Sequence, residues 1–126
     1  MVYLARNFGK DKIFPLKKIS QKEGISFDYL EKIISKLEKA GLIKAKKGAQ
    51  GGYFLAKSPN KIRVGEIIRI LEGEIFLVKC MAKKMKFICP RKKSCLTRSF
   101  WKKIKDSLNL TLDSLTLADL INVKEK

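Results

Sequence analysis

A mainly α chain with a small β-wing is predicted by three features of the sequence. Two apolar stripes at helical spacing meet at Gly24-Ile25-Ser26, and two strand-like runs, Leu42 to Lys46 and Tyr53 to Lys57, flank a tip from Gly48 to Gly52. Near the C-terminus Phe100, Ile104, Leu108 and Leu112 recur at four-residue steps. The first two features make a winged helix-turn-helix domain, and the third makes a long helix suited to dimerisation. The predicted divisions are residues 1–73 for the winged domain, 74–95 for a cysteine-containing sensor loop, and 96–126 for the dimerisation helix and C-terminal turn.

Each element has a local reason. Val2, Tyr3, Leu4, Ala5 and Phe8 suit the end of a helix stopped by Asn7 and Gly9. Pro15 suits a first helical position, and Leu16 and Ile19 follow at helical spacing until Gly24. Ser26 can N-cap a second helix whose apolar stripe is Phe27, Leu30, Ile33, Ile34 and Leu37, ending at Gly41. Its opposite face would present Ser26, Asp28, Tyr29, Glu31, Lys32, Ser35 and Lys36. The wing tip carries three glycines beside Lys46 and Lys47, so its backbone can approach a sugar-phosphate edge. Val64, Ile67, Ile68 and Leu71 define a further short helix ending at Gly73 and closing the core of the winged domain. Ile75 to Ser94 has mixed periodicity and reads as a loop that needs something to organise it, for which a metal would serve. A long helix follows from Leu96, and Thr116 can cap a last short turn.

The totals narrow the function classes. Among 126 residues, 29 are basic and 12 acidic, a net +17 that predicts salt-sensitive attraction to a polyanion, nucleic acid first. The lysine-rich composition of a heat-adapted organism is the other source of such a charge. Catalysis is not expected: the chain has no histidine, no Walker-type glycine loop and no recognisable pair of carboxylates. No apolar run approaches the roughly 18 to 20 residues of a membrane span, and Met1 to Phe8 lacks the layout of a signal peptide, so a cytoplasmic protein is expected.

Cys80, Cys89 and Cys95 are the three cysteines, and eleven lysines and arginines lie from Lys79 to Lys105 with no acidic residue among them. Thiolates in such a field are favoured, for metal binding or for redox chemistry. Lys83, Lys84, Lys86, Arg91, Lys92 and Lys93 would offset the charge of a thiolate-bound cluster and would equally activate a bare thiol. Three readings stand: an iron–sulfur cluster, thiols that respond to oxidation without metal, and a zinc site or relic cysteines.

Gly24-Ile25-Ser26 leading to Tyr29-Leu30-Glu31, Leu37 through Ile43, Gly51 through Ala56, Val64 through Gly73, Cys95-Leu96-Thr97 with Trp101, and Asp113 through Leu120 form an ordered set covering nearly the whole chain. This set resembles the Rrf2 family of bacterial winged-helix transcription regulators, the group of IscR-, NsrR- and CymR-like proteins. The resemblance implies a homodimeric regulator, as a first reading a repressor, that binds double-stranded operator DNA. The helix from Ser26 would lie in the major groove and the wing in the minor groove. It gives Ser26, Asp28, Tyr29, Glu31 and Lys32 base-reading and phosphate-contacting places, and Lys47 stands where a wing arginine is common. Lysine keeps the charge there and loses the bidentate fork. Lys36, on the same helix face, and Gln50 and Gly51 at the wing tip complete the candidate DNA contacts.

In several members of the family a cysteine triplet holds an iron–sulfur cluster, which makes Cys80, Cys89 and Cys95 candidate metal ligands here, with operator affinity switched by the cluster or by thiol redox state. IscR-like members add a histidine where this chain has Arg98, so the fourth ligand is unassigned. Eight residues separate Cys80 from Cys89 and five separate Cys89 from Cys95; only the second gap matches the IscR-like pattern. Family members also carry further residues ahead of the Tyr3-Leu4-Ala5 helix end, whose loss would weaken core packing and phosphate contacts. The alternative is a cluster-free DNA-binding regulator controlled by a partner protein or small molecule.

Overall fold

The computed structural model describes residues 1–9, 12–84 and 88–122. In chain order the elements are α1 (Val2–Arg6), α2 (Leu16–Glu23), α3 (Phe27–Lys39), β1 (Ile43–Lys46), β2 (Gly52–Leu55), a 3-10 turn (Pro59–Lys61), α4 (Val64–Glu72), a second 3-10 turn (Lys79–Met81), α5 (Arg98–Ser114) and α6 (Leu117–Ile121). No helix among the described residues is long and apolar enough to cross a membrane.

Local chemistry sets the helix-turn-helix. Pro15 stands just before α2 as its N-cap rather than inside it, because its extended ψ of 141° feeds the first turn without belonging to it. α2 stops at Gly24, whose left-handed φ of 65° lets its N–H donate back to the Ser20 carbonyl. Two residues later the Ser26 hydroxyl accepts the Tyr29 N–H at 3.3 Å and opens α3. Leu30, Ile34 and Leu37 of α3 are buried against α2, α4 and β1. Phe27, expected in that stripe, is 45% exposed, since the whole first turn of α3 stands clear of the core and the apolar seam starts at Leu30.

The wing is an antiparallel pair in which Ile43 faces Leu55 and Lys46 faces Gly52. Both strands are shorter than their apolar runs, for Leu42 is already core and bonds through its carbonyl to the Ala56 N–H at 3.0 Å. An unanticipated third piece joins the ladder: Phe14 and Tyr53 exchange both backbone hydrogen bonds, at 3.0 and 2.8 Å, tying the approach to α2 to the wing.

Leu37, Leu42, Ile43, Ile62 and Leu117 are the most deeply buried large side chains. Each contributes about 1.5–3 kcal/mol of apolar burial. Leu117 belongs to α6, so the end of the described chain returns to the winged core: its N–H donates to the Ile62 carbonyl at 2.8 Å and Val64 donates to Leu115 at 2.9 Å. α6 starts with a full capping box, the Thr116 hydroxyl accepting the Asp119 N–H at 3.2 Å while Asp119 accepts the Thr116 N–H at 2.8 Å. Thr116→Ala is expected to lower unfolding free energy by about 1 kcal/mol in urea titration, with an unchanged slope; an unaltered midpoint would show that α6 docks without its cap.

α5 stands outside that core and buries no residue fully. Ile104, Leu108 and Leu112 of the expected stripe are half-buried, while Phe100 and Leu110 are 55% and 74% exposed. Arg69 of α4 fixes this helix with a forked contact, its guanidinium donating to both Asp113 oxygens at 2.6 and 3.0 Å and to the Asn109 side chain at 2.6 Å.

Candidate nucleic-acid interface and cysteine segment

The exposed side of α3 follows from the burial of its other side. With Leu30, Ile34 and Leu37 turned inward, Asp28, Tyr29, Glu31, Lys32 and Lys36 are all exposed on the remaining faces, and Ser26 sits exposed at the N-cap. Tyr29, at 59% exposure, is the largest group offered there. Beside it runs a groove lined by Tyr29, Lys32 and Lys36 of α3, Tyr53 of β2, and Leu71 and Glu72 at the end of α4. Lys36 is partly committed: its ammonium donates to the Leu71 carbonyl at 3.4 Å and so caps the C-terminus of α4.

At the wing tip Lys47 and Gln50 are exposed and Gly51 is half-buried. Gly51 donates its N–H to the Gly48 carbonyl at 3.0 Å, closing the tip. A Cβ on Gly51 would run into the Lys46 and Gly48 carbonyls, so this residue shapes the tip with backbone alone. The candidate DNA-contacting residues thus fall on two exposed elements, α3 and the wing, linked behind by β1 and by the Phe14–Tyr53 bridge.

Among its described residues the cysteine segment has little regular structure, in line with its mixed periodicity. Cys80 lies inside the Lys79–Met81 turn, Cys89 opens a turn closed by its carbonyl and the Lys92 N–H at 3.1 Å, and Cys95 stands ahead of α5. All three are half-buried free thiols. The Thr97 hydroxyl lies 3.4 Å from Cys95 Sγ; this contact first, then the Thr97 backbone and Arg98, holds the thiol below its ordinary pKa. Lys83, Lys84, Arg91, Lys92 and Lys93 are exposed around the segment, and Lys86 lies outside the described residues.

Three soft thiolates have the right chemistry for iron or zinc. Their placement does not yet fit one: among the described residues no three His, Cys, Asp or Glu side chains are gathered so as to hold a metal ion. A cluster at these cysteines therefore requires the segment to close from the arrangement seen.

Glu74, which sequence reasoning passed over, organises the segment instead. Its carboxylate accepts the Lys83 N–H at 2.8 and 2.9 Å, the Lys84 N–H at 3.1 Å and the Lys105 ammonium at 2.9 Å. The Lys83 N–H first, then Lys105 and Lys84, hold this carboxyl at about 2, so it is ionised at any physiological pH. A signal was available, since Glu74 is the last acid before the cationic run and immediately follows the Gly73 helix stop.

The Rrf2 family model, described as an iron-dependent transcriptional regulator, matches residues 1–123. The chain is 37% identical over 111 residues to the HTH-type transcriptional regulator IscR of Pectobacterium carotovorum, covering 88% of this chain and 66% of that one. Escherichia coli IscR gives 37% over 111 residues, with 88% and 67% covered. The chain thus spans about two thirds of the length of the curated relatives it matches. Among solved structures, CymR, the global cysteine regulator of B. subtilis, superposes with a TM-score of 0.77 at 38% identity, covering 98% of this chain and 88% of that one. T. potens IscR gives 0.72 at 40% identity, with 99% and 84% covered. These relatives are named as regulators, a class without catalytic activity.

Proposed function

The chain belongs to the Rrf2 family of transcriptional regulators, and from that membership we propose that it is a homodimeric DNA-binding repressor whose operator affinity follows the state of Cys80, Cys89 and Cys95. The observation that carries the reading is the pairing of an unobstructed, polar α3 face with three half-buried free thiols on the segment that leads into α5. α3 enters the major groove, where Asp28, Tyr29, Glu31 and Lys32 meet base edges and phosphates. Ser26 sets the entry angle, Lys36 adds charge at the rear of the helix, and Lys47, Gln50 and Gly51 bring the wing to the sugar-phosphate edge. The exposed Phe100 and Leu110 of α5 support packing against a second copy, which would give the two-fold symmetry of a palindromic operator.

For the cysteines the same proposal names an iron–sulfur cluster as the resident group, with Cys80, Cys89 and Cys95 as its ligands. When bound, the group would supply an oxidisable, iron-dependent link between the loop and α5. The ungathered thiols favour a second reading, in which oxidation of the bare cysteines, without metal, does the switching.

Anaerobic purification followed by visible absorption, iron and acid-labile sulfide assays decides between them. Brown protein carrying both elements, colourless after Cys89→Ala, supports the cluster. Colourless protein under conditions that load a known cluster protein leaves the thiol switch. In either case the two states of the wild-type protein are expected to differ about fivefold or more in affinity for a selected duplex at fixed salt; overlaid titrations would end the sensor reading.

A further inference from the structure

We infer that Glu74 is a positioning residue: it docks the Cys80-bearing segment on α5 and transmits the state of that segment to the recognition helix α3. The inference rests on the reading of the cysteines as the switch and names the contact through which that switch would act.

The docking is specific. Both oxygens of one carboxylate are spent on the segment just after Cys80, through the Lys83 and Lys84 amides, and the Lys105 ammonium of α5 bridges from Glu74 Oε1 to the Met81 carbonyl. Cys80 is therefore followed, at Met81, Lys83 and Lys84, by backbone groups held to one acid–base pair. That pair is sheltered, with Glu74 at 17% and Lys105 at 13% side-chain exposure. Charge-assisted hydrogen bonds at such exposure are among the stronger contacts a surface segment can make. The run from Lys79 to Lys105 holds no acid of its own, so the carboxylate that these amides meet comes from the end of α4.

The transmission is equally short. Glu74 stands one residue beyond Gly73, where α4 ends with the Gly73 N–H on the Arg69 carbonyl at 2.9 Å. The last turn of α4 carries the Leu71 carbonyl that accepts Lys36 of α3, and the Arg69 guanidinium that grips Asp113 and Asn109 of α5. α4 packs against both α3 and α5. Any change at Cys80 that shifts the Met81 to Lys84 backbone pulls on these bonds and loads the Glu74 carboxylate. The load then falls on the end of α4, and so on the seat of Lys36 beside the DNA-reading face. A carboxylate with a purely structural role would hold the loop without changing what α3 does when the cysteines change.

The test uses the full chain with Glu74→Gln and, independently, Lys105→Met, which removes the other half of the clamp should the first variant fold poorly. Two quantities are read: the rate at which iodoacetamide alkylates each cysteine, resolved by peptide mass spectrometry, and the ratio of affinities of reduced and diamide-oxidised protein for one duplex selected from a random pool. Both variants are expected to raise the Cys80 rate about tenfold while leaving Cys95 within about twofold, because Cys95 is held by Thr97 and not by the clamp. The affinity ratio should collapse toward one in each variant, and the double variant should do no more than either single. Unchanged Cys80 alkylation, or a fully retained affinity ratio, overturns the inference. A wild-type ratio of one, with the Cys80 rate rising as stated, instead overturns the sensor reading, and the transmission step with it, while the docking role stands.

Discussion

Raising monovalent salt from 50 to 200 mM is expected to weaken binding of this protein to a specific duplex by about 10³-fold or more, the fall for a protein that neutralises some six to ten phosphates. The expectation follows from a net charge of +17 and from where the lysines sit. Lys17, Lys18 and Lys22 on α2, Lys32, Lys36 and Lys39 on α3, and Lys44, Lys46 and Lys47 on the wing are all exposed. In the proposed homodimer, two protomers on a palindromic site would double whichever of these reach phosphate. Each phosphate neutralised contributes about −0.9 to the slope of log K against log salt. Lys47→Ala should therefore flatten the slope by close to one unit per protomer that engages its wing, and weaken specific and scrambled duplexes alike. Asp28→Ala or Tyr29→Ala should instead change the ratio between the two duplexes while leaving the slope alone. Anisotropy titrations at four salt concentrations read both quantities. A slope near zero would mean that the charge does not face DNA, and equal affinities for the two duplexes would reduce the protein to a nonspecific binder.

The division between what sequence reveals and what it conceals follows the range of the interactions. The α2–α3 turn was legible because Gly24, Ser26 and their partners act within a few residues: a left-handed stop and a hydroxyl N-cap leave local marks. The Thr116 cap was legible for the same reason, though not its reciprocal partner Asp119. Phe27 misled, because periodicity says which residues share a face and not how far the core extends along it. The Phe14–Tyr53 bridge leaves no local mark, since it joins backbone groups of distant segments whose side chains are ordinary. Glu74 was hidden for a related reason: two of its three donors are backbone N–H groups, which any residue but proline would supply. The cysteines were found by their clustering and charge surroundings, yet spacing could not say whether they meet. How the segment lies is set by the Glu74 clamp and by the α4–α5 contact, which bring together residues far apart in the chain.

Gly52→Ala is expected to destabilise the fold by about 3 kcal/mol, a drop of roughly 10 °C in Tm for a chain of this size. The reason is space, not backbone freedom, for Gly52 does not adopt a positive φ. A Cβ there would run into the Phe14 carbonyl group and come within 2.7 Å of the Pro15 nitrogen, and all of these are backbone atoms with no rotamer to escape into. Retreat of that backbone breaks the paired hydrogen bonds between Phe14 and Tyr53 and displaces Pro15 from the start of α2. Leu16 and Ile19 then lose their register in the core, and Phe14 loses the edge contact with Tyr3 at 5.3 Å. Under the proposed DNA-binding mode, affinity is expected to fall as well, because the same bridge sets the wing relative to the helix-turn-helix. Gly48→Ala is the internal control. Its φ of 118° makes a side chain strained, but nothing lies within 4 Å of the new Cβ, so about 1 kcal/mol is expected. Urea titrations of the two variants should separate cleanly in midpoint. If Gly52→Ala proves no worse than Gly48→Ala, the Phe14–Tyr53 junction is looser than its geometry indicates, and the wing and the recognition helix are not held as one rigid unit.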